Sequence, residues 1–489
     1  MNPLKKLAGQ TAIYGLSTIL GRLLNFALVP FYTYIFSMPA DVGTNTEFYA
    51  YISFLNIVFT YGMETALFNF TSKEPGNANV YGTAFRSVLV STFVLTVPVL
   101  IFAGDIAETL RHYGHADFVV WSILIVATDA LAAIPFAQLR QQNRAKRFAM
   151  IKLVNIAVNV ALNIFFLGLC KHQYENGGFF GGFYNPAIGI GYAFVANLAA
   201  NIVSLLLLVP QVKLERYEFD PALWKRMMTY ALPLLLVGLA GMVNETLDRI
   251  LIKYLLPDTL GKYLQGVYGA CYKIAILMTI FRMAFQYAAE PFFFARRQDE
   301  DNKKIYARVM KYFVIACTLI FLGITLNMAW IQYVVGPEYR RGMGVVPILL
   351  LANLFLGVYF NLSIWYKLTG KTIYGAYITV FGAVITLGLN FWLIPIIGYM
   401  GSAWATLACY SAMAVVSYFL GQKHYPVRYS LRRMLTYLAL AVLIYLLSTL
   451  IAFSNFWLNL LIKNALLVPY LLLLWKLEWP VLRQELRKK

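Results

Sequence analysis

Fourteen apolar stretches, most of them long enough to cross a lipid bilayer as a helix, follow one another along this chain with short polar breaks between them. They lie near 8–36, 46–70, 82–104, 118–140, 148–170, 187–210, 227–256, 263–290, 312–335, 344–367, 372–395, 399–421, 433–453 and 457–477. A spanning helix needs about 20 mostly apolar residues. In hydrocarbon every backbone N–H and C=O must be satisfied within the segment, so a run of this kind can only be a helix. The expected fold is therefore an all-α polytopic membrane protein with about fourteen transmembrane helices. The eleventh and twelfth runs are separated only by Ile396, Ile397 and Gly398, which predicts a tight antiparallel hairpin.

Composition agrees: 60% of the 489 residues are hydrophobic and 13% are charged, against about 25% charged in an ordinary soluble domain. The formal charge of +19 would suggest nucleic acid in a soluble protein. Here the basic residues sit in short breaks between apolar runs, so they read as topology signals, and nucleic acid is excluded as a partner. If the N-terminus is cytoplasmic, 30 of the 41 Lys and Arg fall in cytoplasmic segments. Only Arg111, Lys171, Lys253, Lys262, Arg340 and Arg341 fall outside. By the positive-inside rule this places both termini in the cytoplasm, with the chain in the inner membrane. Membrane lipids are the general partner, with anionic headgroups facing the basic side.

The breaks are too short for a folded catalytic domain. Cys170, Cys271, Cys317 and Cys409 form no CxxC pair, and His112, His115, His172 and His424 make no metal-ligand pattern. No catalytic group, metal or cofactor is expected, and the chain reads as a transporter rather than an enzyme. An internal repeat supports two related halves. FYAYISFLNIVFTYGMETALFNF, from Phe48, and VYGACYKIAILMTIFRMAFQYAAEPFFF, from Val267, share a Tyr, small residue, apolar helix, Met, aromatic pattern at an offset of about six helices. An even number of crossings keeps the copies in one orientation, as in parallel-repeat transporters.

The opening LKKLAGQTAIYGLSTILGRLLNFALVPFYTYIF, then TYGMETALFNF, then YKIAILMTIFRMAFQYAAEPFFF, resembles the bacterial oligosaccharide-lipid flippases, the Wzx-type polysaccharide exporters of the multidrug/oligosaccharidyl-lipid/polysaccharide (MOP, MATE-like) superfamily. The resemblance implies two six-helix lobes around a central cavity, at 1–215 and 216–428, with two more helices and a cytoplasmic tail at 429–489. It implies translocation of an undecaprenyl-pyrophosphate-linked oligosaccharide from inner to outer leaflet for surface polysaccharide such as O-antigen, alongside other polysaccharide-assembly proteins. A lipid II flippase, a drug/cation antiporter and, last, a membrane glycan polymerase are the alternatives.

A charge in the hydrocarbon core costs roughly 2.5–3.5 kcal/mol on insertion scales and usually faces a cavity or a partner. Arg22, Arg249, Lys273 and Arg282 are the candidate pyrophosphate ligands, since guanidinium binds phosphate oxygens bidentately. Lys273 and Arg282 stand nine residues apart, about 180° around a regular helix, so only one of them faces a given cavity; Lys273, nearer mid-membrane, is preferred. Glu64, Asp129, Glu245 and Asp248 are the candidate carboxylates for coupling to a H⁺ or Na⁺ gradient or to membrane potential. Glu245, Asp248 and Arg249 share one helical face, which predicts an acid partner for Arg249. Pro98, Pro135, Pro233 and Pro347 are candidate bends. Asn155, Asn159 and Asn163, four residues apart, form one polar stripe.

Overall fold

A computed structural model describes residues 26–486 except 75, 78, 213–217, 296–300 and 452, together with residues 19, 21 and 23. Among the described residues the regular secondary structure is all helical, with no strand. In chain order the main helices are α1 (Phe26–Ile35), α2 (Pro39–Thr60), α3 (Met63–Lys73), α4 (Asn79–Ile101), α5 (Ala103–Thr109), α6 (Ala116–Gln141), α7 (Ala145–Asn163), α8 (Lys171–Asn176), α9 (Tyr192–Leu208), α10 (Pro221–Leu255), α11 (Asp258–Ile274), α12 (Ile276–Ala295), α13 (Asn302–Thr325), α14 (Met328–Ile331), α15 (Val345–Leu362), α16 (Ile364–Leu368), α17 (Ile373–Ile397), α18 (Tyr399–His424), α19 (Leu431–Thr449), α20 (Phe456–Ala465) and α21 (Leu467–Leu486). Eleven helical segments are long and apolar enough to cross a membrane, and the bent pair α11–α12 makes twelve. With α1 and the broken pair α2–α3 they occupy the fourteen apolar runs in order.

Local chemistry explains several boundaries. Asp220 caps α10 by accepting from the backbone N–H of Ala222 and Leu223, with Pro221 in the first turn, where its missing donor costs nothing. The hairpin between α17 and α18 is tighter than expected: α17 runs through Ile397, leaving Gly398 alone at φ +61°. That left-handed backbone favours glycine.

The breaks do not fall at the prolines. The helices continue through Pro98, Pro135 and Pro233, and Pro347 sits in the first turn of α15, where no intrahelical bond is lost. The second and eighth runs break instead. The second breaks at Tyr61, whose φ of 33° is left-handed; the eighth bends by 45° between α11 and α12. The fifth run passes into a π-helix at Ile164–Cys170.

Within the first half α6 packs on α4 and α9, and α9 on α7; within the second, α18 packs on α15 and α17, and α10 on α17. α19 lies against α13. The halves meet where α2 crosses α11. Gly43 and Gly266 make that crossing possible, since a methyl at 266 would overlap the Pro39 carbonyl and one at 43 would sit 2.6 Å from the Lys262 carbonyl.

The sequence assigns most loop Lys and Arg to alternate breaks between the apolar runs, and the end that carries those breaks is here the basic end. There Arg226 donates to Glu74 at 2.7 Å, and hydrogen bonds from Asn77 and Arg226 hold the Glu74 carboxyl below its ordinary range. At the far end several polar contacts join segments distant in sequence. Gly336 N–H donates to Thr33 Oγ1 at 3.0 Å, and the Tyr339 hydroxyl donates to the Phe36 carbonyl at 2.7 Å. Lys262 Nζ donates to the Arg111 carbonyl at 2.6 Å, and Arg111 pairs with Asp258 at 3.2 Å.

Candidate functional site

Helices from both halves line a polar cavity of about 310 Å³. Helix α2 supplies Val42, Asn45, Thr46, Tyr49 and Ser53, spaced three and four apart and so on one face. Helix α7 supplies Asn155 and Asn159, α9 Asn197, α10 Arg249, and α11 Gly269, Ala270 and Lys273. Two of the four cations singled out in the sequence therefore meet, from different helices, across a polar space. The asparagine stripe faces the same space, except that Asn163 turns to accept from the Tyr32 hydroxyl at 2.7 Å. Asn197 donates to the Tyr49 hydroxyl at 2.7 Å.

The expected acid partner of Arg249 is not there. Asp248 is buried, and its oxygens accept from the Tyr268 hydroxyl at 2.5 Å and from the Arg249 backbone N–H at 2.8 Å. Successive residues on a helix diverge by about 100°, so the Asp248 carboxylate turns into the α10–α11 contact while the Arg249 guanidinium turns to the cavity. Among the described residues Arg249 forms no ion pair within 4 Å. Its guanidinium instead lies over the Tyr272 ring, 4.2 Å from the centroid, and Gln265 donates to its carbonyl. The cation is thus held in place without being neutralised by a carboxylate at contact distance.

Glu245 and Arg282 line a second cavity, of about 580 Å³, between α10, α12, α15, α17 and α18, with mostly apolar walls. Arg282 stacks over Phe360 at 4.8 Å. Lys273 and Arg282 line different cavities, on either side of the break after Ile274 where α11 bends by 45° into α12. Among the described residues Glu245 has no hydrogen-bond or ion-pair partner, and it is exposed to its cavity. Leu234, Val237 and Gly241 line the same cavity and lead along α10 to Glu245; Arg249, one turn on, opens to the other.

The remaining candidates lie elsewhere. Glu64 pairs with Arg140, itself packed over Phe68 and Phe148; the pair is partly exposed. Asp129 accepts from Asn201 at 3.0 Å and Asn56 at 3.5 Å, inside the first half. Arg22 lies outside the described residues.

Sequence reasoning missed two features. Asn45 lies just before the second apolar run as read from sequence, in a stretch taken for a loop that turns out to be helix. The other is a buried charge cluster. Lys253, counted as an outer-segment charge, is 0% exposed and donates to both Glu47 oxygens at 2.7 and 2.8 Å and to the Leu110 carbonyl at 2.6 Å. Glu47 is 0% exposed, and His112 Nε2 lies 2.9 Å from it. The three come from residues 47, 112 and 253, so no local spacing announces them.

With this geometry in hand, the likenesses to known proteins can be stated. No curated protein matches the sequence. The solved structure "Lipid II flippase MurJ, inward closed conformation" aligns with a TM-score of 0.73 at 12% identity, over 96% of this chain and 99% of that one. An inward-facing multidrug-resistance MATE transporter of the MOP superfamily aligns with a TM-score of 0.65 at 14% identity, over 82% and 94%. The outward-facing form of such a transporter gives 0.58 at 14% identity, over 86% and 94%. These likenesses establish a shared fold. The family described as "Polysaccharide biosynthesis protein" matches residues 7–295. That match covers more than half of the sequence, and this multi-pass membrane protein therefore belongs to the polysaccharide biosynthesis protein family, within the fold of the MOP transporters.

Proposed function

We propose that the protein is a flippase that carries a polyprenyl-diphosphate-linked oligosaccharide across the bacterial inner membrane, with its basic end toward the cytoplasm. The two halves, residues 1–215 and 216–428, act as the rocking lobes, and residues 429–489 are appended to the second. The observation that carries this reading is the polar cavity, in which Arg249 has no acid at ion-pairing distance and Lys273 stands beside it. A diphosphate needs such cations to enter a low-dielectric space, because an unpaired ion there is costly. Drug cations would find two positive charges. Family membership supports a polysaccharide cargo, and the basic loops support the orientation.

The test is mass spectrometry of lipid-linked glycans after depletion of the protein from its host. One polyprenyl-diphosphate oligosaccharide is expected to accumulate on the cytoplasmic side. Accumulation of lipid II would reassign the cargo to cell-wall synthesis, and a build-up of cationic drugs without any change in lipid-linked glycans would favour an antiporter.

For coupling, Glu245 is the favoured group over Glu64, Asp129 and Asp248, each of which already has a hydrogen-bonding or ionic partner. A carboxylate facing a membrane cavity is suited to take up a proton or Na⁺. In proteoliposomes, imposed H⁺ or Na⁺ gradients are expected to accelerate transport by the unmodified protein and not by Glu245→Gln. Equal acceleration of both would remove Glu245 from the coupling.

A further inference from the structure

We propose that the buried imidazole of His112 is a proton-binding site, and that a proton bound there unties α10 from α2. This rests on the flippase reading above, in which residues 1–215 and 216–428 rock against each other, and it is separate from the coupling proposed for Glu245. Glu47 on α2 and Lys253 on α10 are both 0% exposed, and His112, in the segment between α5 and α6, is 6% exposed. His112 Nε2 lies 2.9 Å from Glu47 Oε2 and 3.1 Å from Lys253 Nζ. One carboxylate therefore serves two partners, an imidazole from its own half and an ammonium from the other.

A donor count places the protons. An ammonium has three N–H bonds, and those of Lys253 are accepted by Glu47 Oε1 at 2.7 Å, Glu47 Oε2 at 2.8 Å and the Leu110 carbonyl at 2.6 Å. His112 Nε2 then carries a hydrogen of its own and donates it to Glu47, which leaves Nδ1 with the lone pair. Among the described residues Nδ1 has no hydrogen-bond partner. A proton arriving at Nδ1 makes the ring a second cation, 3.1 Å from the ammonium. The bond from His112 to Glu47 becomes charge-assisted on both sides and strengthens, while Lys253 is repelled. With Lys253 gone, His112 binds its proton more tightly, so by linkage a falling pH favours the arrangement in which α10 has parted from α2. Imidazole suits this role, since its ordinary titration lies between about pH 5 and 8. The other titratable and charged groups around the cluster are engaged with one another. The Tyr51 hydroxyl donates to Glu47 at 2.9 Å and meets the Tyr254 hydroxyl at 3.1 Å. Arg111 pairs with Asp258 at 3.2 Å, Lys262 donates to the Arg111 carbonyl, and His115 lies 3.7 Å from Asp117.

The experiment uses the full-length protein in lipid nanodiscs, with spin labels at the exposed positions Thr109→Cys and Thr259→Cys; the four native cysteines are buried. The distance between the labels is read at about pH 7.5 and about pH 5.5, on either side of the ordinary imidazole titration. A longer-distance population is expected to rise about tenfold at the lower pH, the scale of one exchanged charge-assisted hydrogen bond. His112→Gln, whose amide N–H can still reach Glu47, is expected to hold the short distance at both pH values. His112→Lys, a fixed cation, is expected to show the longer distance at both. His115→Gln should respond as the protein with His115 does. A labelled protein without a pH response overturns the inference. So does a response that His112→Gln retains or that His115→Gln removes, or a short distance in His112→Lys at both pH values. If neither His112 variant folds, the ring serves architecture alone and the inference falls as well. None of these outcomes bears on the cargo, which the lipid-linked glycans decide.

Discussion

Lys253→Met alone is expected to destabilise the protein by about 3–5 kcal/mol, because it strands the Glu47 carboxylate in a site with no access to water. Glu47→Ala should do the same by stranding the Lys253 ammonium. The double variant Glu47→Gln/Lys253→Met is expected to recover most of the loss. It removes both charges together, keeps a polar group beside His112 and the Tyr51 hydroxyl, which donates to Glu47 at 2.9 Å, and fills the volume of the lysine stem. Midpoints of thermal unfolding in detergent check this, read as a double-mutant cycle. A double variant as unstable as the sum of its parents would show that the cluster contributes through packing rather than through paired charge. The effect is large here because both partners are fully buried. The partly exposed Glu64–Arg140 pair should contribute within about 1 kcal/mol.

Arg249→Ala is expected to cost at least about tenfold in lipid-linked glycan transport, the scale of one lost charge-assisted hydrogen bond. Its loss of stability should be smaller than that of the Lys253 variant, because Asp248, the buried carboxylate next in the chain, keeps the Tyr268 hydroxyl and the backbone N–H as partners. Arg249→Lys should retain part of the activity: it keeps the charge and loses the planar fork that grips two phosphate oxygens and stacks on Tyr272. Surface glycan in a depleted host complemented with each variant is the readout, with protein levels matched by immunoblot. Normal export by Arg249→Ala would move the diphosphate site elsewhere, Arg282 in the neighbouring cavity being the next cation to replace. The comparison also separates the two predictions, since a Lys253 variant fails through folding and an Arg249 variant through transport.

Much of this architecture was legible in one dimension. The length and spacing of apolar runs determine that the chain is helical and crosses a membrane many times, because unsatisfied backbone is excluded from hydrocarbon. The cost of an intramembrane charge makes Arg249, Lys273, Arg282 and Glu245 conspicuous wherever they end up. What a period cannot supply is the neighbour from another helix. Asp248 looks like the partner of Arg249 along α10, yet tertiary packing turns it to Tyr268 on α11. Lys253 reads as a loop charge until Glu47 and His112, each more than 140 residues away in sequence, close around it. Asn45 lies outside the apolar runs read from the sequence, and it reaches the polar cavity only because α2 crosses α11 at Gly43 and Gly266. Desolvation and repeat length act on each helix alone and are written in its sequence; pairing and cavity shape depend on how helices cross, and only the folded structure decides them.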